Sequence, residues 1–346
     1  MCIVGIKVIQ QGVGYLGKKA IELMLRKNIE VVAAIGHQSH IGEDIGKLAG
    51  LGEVGVKVTN DVQKVLENVK ADVVSNCTGT TLLGVYEHIK PFIEAGINVV
   101  TMAEEFGYPW YRAPKLSKEI HTNAKANNVT VVGTGLNPGF SWDFIPIAYI
   151  SACWRVDKIK ARRVTDWSKT SPRRALLRFG KKPEEFRKGV VEGKIPLHTG
   201  FYECMHLLAD SLNWKLDKIV VTWEMAVSKS FREAEFVTVQ PGTTVGFKQV
   251  ATGIVGGEAR IVLELCPFVH PNLDEDGVES GETIWIEGEP SFTITTKWAP
   301  VEDGTPLCTV ARLVNTLQSA IEAESGLLAV TDLPLTKTVR IREVVK

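Results

Sequence analysis

The chain has 346 residues, enough for two domains of ordinary size and too many for one small module. Its 40 basic residues balance 40 acidic ones, and with 45% hydrophobic and 23% charged residues the composition is that of a globular protein. A chain with no net positive field is a poor match for a dedicated nucleic-acid binder or an anionic-membrane protein, which leaves small-molecule chemistry as the expectation.

From the N-terminus to about residue 140, apolar β-branched runs alternate with helix-length amphipathic segments, the rhythm of a parallel sheet. Strands are predicted at Ile3 to Gln10, Glu30 to Ile35, Asp72 to Cys77, Ile97 to Met102 and Val129 to Val132, with helices at Lys18 to Lys27 and Thr81 to Ala95. Beyond Phe140 longer alternating strands appear, at Lys218 to Ala226, Gly246 to Val255, Glu258 to Leu265 and Glu282 to Trp298, with a basic stretch from Arg162 to Lys182 and a helix near Gly200 to Leu212. Thr305 to Ala323 reads as a long helix with apolar positions at Val310, Leu313, Val314, Leu317 and Ile321. The expected architecture is α/β: a Rossmann dinucleotide-binding domain of residues 1–140 completed by 305–346, and a mixed-sheet α+β domain over 141–304.

Six cysteines, Cys2, Cys77, Cys153, Cys204, Cys266 and Cys308, include no CxxC pair, so they read as reduced, mostly buried thiols rather than a zinc site or disulfide framework. The N-terminal residues lack a cationic leader, and no apolar run approaches the roughly 18 residues of a membrane span, so a cytoplasmic protein is expected.

Gly12-Val13-Gly14-Tyr15-Leu16-Gly17 is a GxGxxG between a predicted strand and a predicted helix. In that context the glycines make the turn and admit a pyrophosphate to the helix N-terminus; a plain glycine-rich turn is the alternative. Where an acid would grip an adenine ribose, the chain has Gly36-His37-Gln38-Ser39-His40, so NADP is expected to be tolerated, through His37, Ser39 or His40, and NAD remains possible; exposed loop histidines are the alternative. Thr78 and Gly79 end the next strand, where a cofactor or a simple helix cap would sit. Glu104 and Glu105 follow the strand after that, at the edge where open α/β sheets bind ligands. Read as an extended segment, the pair points one glutamate inward and the other away. Asn137, in Gly133-Thr-Gly-Leu-Asn-Pro-Gly-Phe140, supplies an amide beside glycines that permit close approach, or simply a turn.

The ordered set VIQQGVGYLGK, NVVTMAEEFGYP, GTGLNPGF, RRVTDW with SPRRALLRFG, PLHTGFYECMH and GTPLCTVARLVN resembles the 2,4-diaminopentanoate dehydrogenase family and its close relatives, the native amine dehydrogenases. The resemblance implies a dihydrodipicolinate-reductase-like architecture, a homodimer through the second-domain sheet, and NAD(P)-dependent oxidation of CH–NH2 to an imine that hydrolyses to a ketone. It assigns Glu104 as the catalytic carboxylate; Glu105 is the runner-up, because a one-residue error in placing the strand end would exchange the two. It also sets Asn137 near the nicotinamide, and Arg163, His198 and Thr305 near the substrate. Leu197-His198-Thr199-Gly200 departs from the family's Gly-His-Val-Gly-like pattern, and a His-His-Arg-x-Lys signature of dihydrodipicolinate reductase is absent.

On their own chemistry, Arg163 reads as a carboxylate clamp or an exposed cation, and His198 as a ligand contact or a structural residue. Phe140, Trp142, Phe201 and Met205 read as an apolar pocket wall or as core. Arg163 favours a 2,4-diaminopentanoate-like substrate and the aromatic residues favour a small aliphatic amine, with ammonia and a ketone on the other side of the reaction. A non-catalytic redox sensor, or a semialdehyde or hydroxy-acid oxidoreductase on the same scaffold, is the alternative.

Overall fold

The computed structural model describes residues 5–297 and 305–338. From the N-terminus the order is β1 (Lys7–Gln11), α1 (Tyr15–Arg26), β2 (Glu30–Ile35), α2 (Ile45–Leu48), β3 (Val58–Thr59), α3 (Val62–Asn68), β4 (Val73–Asn76), α4 (Leu82–Glu94), β5 (Asn98–Thr101), α5 (Pro114–Ala126) and β6 (Thr130–Gly133). There follow α6 (Phe144–Ile150), β7 (Arg155–Asp166), α7 (Pro172–Arg178), α8 (Pro183–Val191), α9 (Phe201–Ser211), β8 (Lys218–Val227), β9 (Arg232–Glu233), β10 (Thr238–Val239), β11 (Thr244–Val255), β12 (Glu258–Phe268), α10 (Leu273–Asp276), β13 (Gly281–Glu289) and β14 (Phe292–Thr296). The chain ends in α11 (Thr305–Glu322) and β15 (Gly326–Leu328). It divides into two units, Met1–Phe144 with Pro306–Lys346, and Ile145–Thr305.

The first unit is a seven-stranded sheet in the order β15-β6-β5-β4-β1-β2-β3, parallel at every pairing. Its central strands are buried on both faces, which is why they read as unbroken runs of valine and isoleucine. Ile9, Val74, Val99 and Val131 pack with Leu82, Val85, Ile89 and Phe92 of α4 and Ile120 and Ala124 of α5. The α4 residues recur at the three- and four-residue spacing that makes one face of a helix apolar. Helix α11 buries Val310, Leu313, Val314 and Leu317. The strand order reverses at the β1–β4 junction, and in such sheets ligands bind outside the carboxyl ends of the strands at that point.

The second unit is a six-stranded mixed sheet, β14-β13-β7-β12-β11-β8, antiparallel except for the β7–β12 pair. Phe186 and Val190 of α8 pack with Phe247, Trp223 and Met225 of the sheet. The expected single strand from Glu282 to Trp298 is instead a hairpin of β13 and β14. Pro290 lacks the amide hydrogen a ladder needs, and Ser291 Oγ closes the turn by donating to Gly288 O at 3.0 Å. Trp298 lies outside the described residues. Adjacent arginines on β7 divide between the two faces of the sheet. Arg162 faces Glu264 of β12, with Nε at 2.6 Å from Oε2, and Arg163 faces Glu282 of β13, with Nε at 2.5 Å from Oε2.

None of the five described cysteines is in a disulfide; Cys204 and Cys266 are buried, whereas Cys77, Cys153 and Cys308 are half-buried, more accessible than expected. Among the described residues no helix is long and apolar enough to cross a membrane.

Near β9, Arg232 grips both oxygens of Asp276 at 2.7 and 2.8 Å and lies 2.9 Å from Glu275. The Ser230 hydroxyl and Lys229 amide, with Arg232 adding its charge, hold the Glu275 carboxyl down at about 2, against an ordinary 4.5. A depressed folded-state value stabilises the fold above the unfolded value and loses that contribution as pH falls from 4.5 toward about 2. Glu275→Gln should therefore lower the thermal midpoint at neutral pH, with the difference from wild type vanishing as the pH falls to about 2 when melts are followed by circular dichroism.

Candidate active site

The carboxyl end of β1 meets that of β4 in close backbone contact. Cys77 N donates to Gln11 O at 2.8 Å, and a Cβ on Gly12 would lie 2.7 Å from the Cys77 carbonyl oxygen. Gly12 also has φ +90°, a conformation that side chains rarely adopt. A Cβ on Gly17 would come within 2.0 Å of Gly12 O, so helix and turn are in direct contact. Gly14, the α1 N-cap, faces open space and brings no side-chain oxygen to the first-turn amides, and that turn carries no acidic residue. Those amides suit the diphosphate of a dinucleotide. Val13 is buried and offers only its backbone, Tyr15 is exposed with Lys19 near its ring, and Leu16 is half-buried.

Past β2, His37 and Ser39 are exposed. The local reading of this loop as free of carboxylates needs correction. His40 takes a left-handed conformation, φ +63°, and its Nδ1 lies 2.9 Å from Glu43 Oε1, which brings a carboxylate back to the loop.

Beneath this edge lies a buried polar layer that sequence reasoning missed. Asn76 Nδ2 donates to Gln11 Oε1 at 2.8 Å and to Thr78 Oγ1 at 3.0 Å, while Asn76 Oδ1 accepts from Thr101 Oγ1 at 2.8 Å. Thr78 Oγ1 also lies 3.2 Å from His88 Nδ1, and Gln11 Nε2 donates to His88 O at 2.9 Å. The available signal was polar residues ending otherwise apolar strands in VIQQ, DVVSNC and NVVT. Gly79 is exposed just beyond.

Glu104–Phe106 is a 3₁₀ turn, not the extended segment assumed for assigning the two glutamates. Glu105 is engaged structurally: its Oε2 accepts from Leu82 N at 2.8 Å and its Oε1 lies 3.6 Å from Arg112. It caps α4, whose own N-cap residue, Thr81, makes no side-chain cap bond. Glu104 is half-buried. The turn lies directly on the β6 loop, because a Cβ on Gly133 would fall 2.3 Å from the Phe106 carbonyl carbon and one on Gly107 would fall 2.5 Å from Pro138. Glu104 and Asn137 thus belong to two loops in contact.

The Asn137 loop is fixed from both sides. Gly139 N donates to buried Asp143 Oδ2 at 2.7 Å, and Gly139 O accepts from Arg312 Nη2 at 3.3 Å. The Arg312 guanidinium lies 5.0 Å from the centre of the Phe140 ring, and burial pushes its pKa down. Arg312 was not singled out from the sequence, although VARLVN contains it.

The remaining predicted residues, Trp142 excepted, lie in the second unit. Arg163 is 1% exposed and pairs with Glu282, so its first partner is a carboxylate of the chain itself rather than a substrate's. That pairing lends the carboxylate-clamp expectation no support, and the alternative of an exposed cation is corrected by the burial. Gln249 holds the His198 backbone, accepting from its N at 2.9 Å and donating to its O at 3.0 Å, while the ring stands edge-on to Phe201. Trp142 of the first unit and Phe201 and Met205 of the second are fully buried core. Thr305 opens α11, and its side chain lies outside the described residues.

The family model for the 2,4-diaminopentanoate dehydrogenase C-terminal domain matches residues 140–345, and that for the dihydrodipicolinate reductase N-terminus matches 6–103. The chain belongs to the 2,4-diaminopentanoate dehydrogenase family. The 2,4-diaminopentanoate dehydrogenase of Acetoanaerobium sticklandii is 31% identical, over 96% of this chain and 95% of its own. An amine dehydrogenase of Streptomyces virginiae is 25% identical over 95% and 96% of the two chains. The solved amine dehydrogenase of Mycobacterium smegmatis superposes with a TM-score of 0.83 at 25% identity, covering 97% of this chain and 98% of that one.

In this family member, the paired glutamates divide into one that caps a helix and one on the turn itself. Glu105→Ala should cost about 1 kcal/mol of stability in denaturant unfolding, as loss of a helix cap does, and Glu105→Gln, which keeps an acceptor oxygen, should cost less.

Proposed function

We propose that this protein is an NAD(P)-dependent amine dehydrogenase that interconverts a primary amine and a ketone, with Glu104 as its acid/base group. The observation that carries the assignment is the place of Glu104, on a turn at the carboxyl edge of the sheet that packs on the loop of Asn137, while Glu105 caps α4. The backbone of Gly12 to Leu16 would hold the dinucleotide diphosphate. Thr78 and Gly79 would pass beneath it, and Asn137 would offer its amide to the nicotinamide end. When bound, the dinucleotide supplies the hydride acceptor.

The chemistry asks two things of Glu104. A substrate ammonium must shed a proton before its carbon–nitrogen bond gains double-bond character, and the Glu104 carboxylate accepts it. In the reductive direction the same carboxyl protonates the carbinolamine hydroxyl so that water departs.

His37 and Ser39 are exposed beyond β2 and suit a 2′-phosphate, which supports acceptance of NADP as well as NAD. With Arg163 held by Glu282, the support for an amino-acid-like amine comes from kinship with the Acetoanaerobium sticklandii enzyme rather than from a guanidinium clamp. The proposed assembly is a homodimer through the second-unit sheet, which a monomer in light scattering would remove.

Consumption of NADPH and NADH should be followed with a panel of ketones, with and without ammonia. Turnover should require ammonia; ammonia-independent turnover would reject amine chemistry. Glu104→Gln should lower turnover by roughly 100-fold or more while dinucleotide affinity, read by fluorescence titration, is nearly retained.

A further inference from the structure

Thr101 ends β5 with no solvent exposure, in a sheet whose other buried positions favour valine and isoleucine. Valine has nearly the same shape and no hydroxyl to desolvate, so a buried threonine here implies a use for its oxygen. That oxygen makes two bonds. It donates to Asn76 Oδ1 at 2.8 Å and accepts from Ala103 N at 3.1 Å, and Ala103 is the N-cap position of the Glu104–Phe106 turn. Asn76 passes the connection on to Gln11 Oε1 at 2.8 Å, one residue before the phosphate turn. A chain of buried hydrogen bonds therefore runs from the residue preceding Gly12 to the residue preceding Glu104. In such a layer a severed bond leaves a buried polar atom unsatisfied, so the arrangement holds one geometry.

The far side of the turn is also tied down, by Glu105 N donating to Thr80 O at 3.1 Å and by Gly107 against Pro138. The direction in which the chain leaves β5, and hence where Glu104 begins, depends on the Thr101 hydroxyl.

We propose that Thr101 is a positioning residue for Glu104, with Asn76 tying its hydroxyl to the phosphate turn. The inference rests on the acid/base reading of Glu104 given above.

Three substitutions separate the hydroxyl from the methyl: Thr101→Val keeps the volume and loses the hydroxyl, Thr101→Ser keeps the hydroxyl and loses the methyl, and Thr101→Ala loses both. Turnover at saturating substrate, dinucleotide Kd, thermal midpoint and the pH profile of turnover would be measured on the full chain. We expect Thr101→Val to fall about 10- to 100-fold below wild type and Thr101→Ala by a like factor below Thr101→Ser, the scale of a misplaced reacting group. Kd should stay within about twofold and the limb of the pH profile that Glu104 sets should move. Wild-type turnover in Thr101→Val overturns the inference. So does a loss in Thr101→Ser as deep as in Thr101→Ala, which would mean packing, or a rise in Kd that accounts for the lost turnover, which would mean the cofactor site. If Thr101→Val does not fold, the serine–alanine comparison decides. An inactive Glu104→Gln beside a fully active Thr101→Val sinks this inference alone, whereas a fully active Glu104→Gln sinks the acid/base reading and this inference with it.

Discussion

The candidate site hangs on one steric constraint, the contact of the Gly12 backbone with the carbonyl of Cys77. The contact lies where the strand order reverses, the position at which open α/β sheets bind ligands. Any Cβ at Gly12 would meet the 2.7 Å contact with Cys77 O and the unfavourable φ together. Gly17 against Gly12 O and Gly133 against Phe106 repeat the same device. Glycine is therefore used along this edge to bring main chain against main chain, so that amides and carbonyls form the surface a ligand meets.

Close backbone packing fixes distances but not directions. Directions come from the amides and hydroxyls of Gln11, Asn76, Thr78 and Thr101, which are buried or half-buried where three strands end. Each gives up hydration, and a satisfied network returns little net stability beyond what an apolar layer would provide. Its return lies in selecting one arrangement of the loops that leave the sheet. Asp143 and Arg312 act similarly on the next loop, one holding Gly139 N and the other Gly139 O.

The first unit was largely legible in the sequence because its strands are short, β-branched and bounded by glycine. The Glu30 to Ile35 strand has the same bounds in the structure, and α4 differs by one residue at each end. The site was legible as a set of loops and less so as side-chain roles. Alternation along an extended strand correctly suggested that one glutamate makes a structural contact, yet the segment is a 3₁₀ turn, and Glu105 is identified by Leu82 N, 23 residues away. Long-range pairs were invisible for the same reason. Arg163 meets Glu282 at a separation of 119 residues, which no local pattern encodes. His40 and Glu43 are close in sequence, but their contact depends on a left-handed residue that composition does not reveal.

The neighbouring arginines of β7 carry a further consequence for assembly of the second sheet. Arg162 and Arg163 occupy opposite faces, each with its own acid on the strand directly across, Glu264 on β12 and Glu282 on β13. Sliding β7 by one residue would break both pairs: one direction sets Arg163 opposite Glu264 and leaves Val164 opposite Glu282, the other sets Arg162 opposite Glu282 and leaves Ala161 opposite Glu264. The penalty is greatest for Glu282, which is buried with Arg163, because an ion left without its partner in such a layer costs more than misplaced valines would. The two pairs therefore act as a proofreading lock on strand alignment. β7 lies between β12 and β13, so an error there would displace both halves of the sheet, and the lock stands at the strand where misalignment would do the most harm.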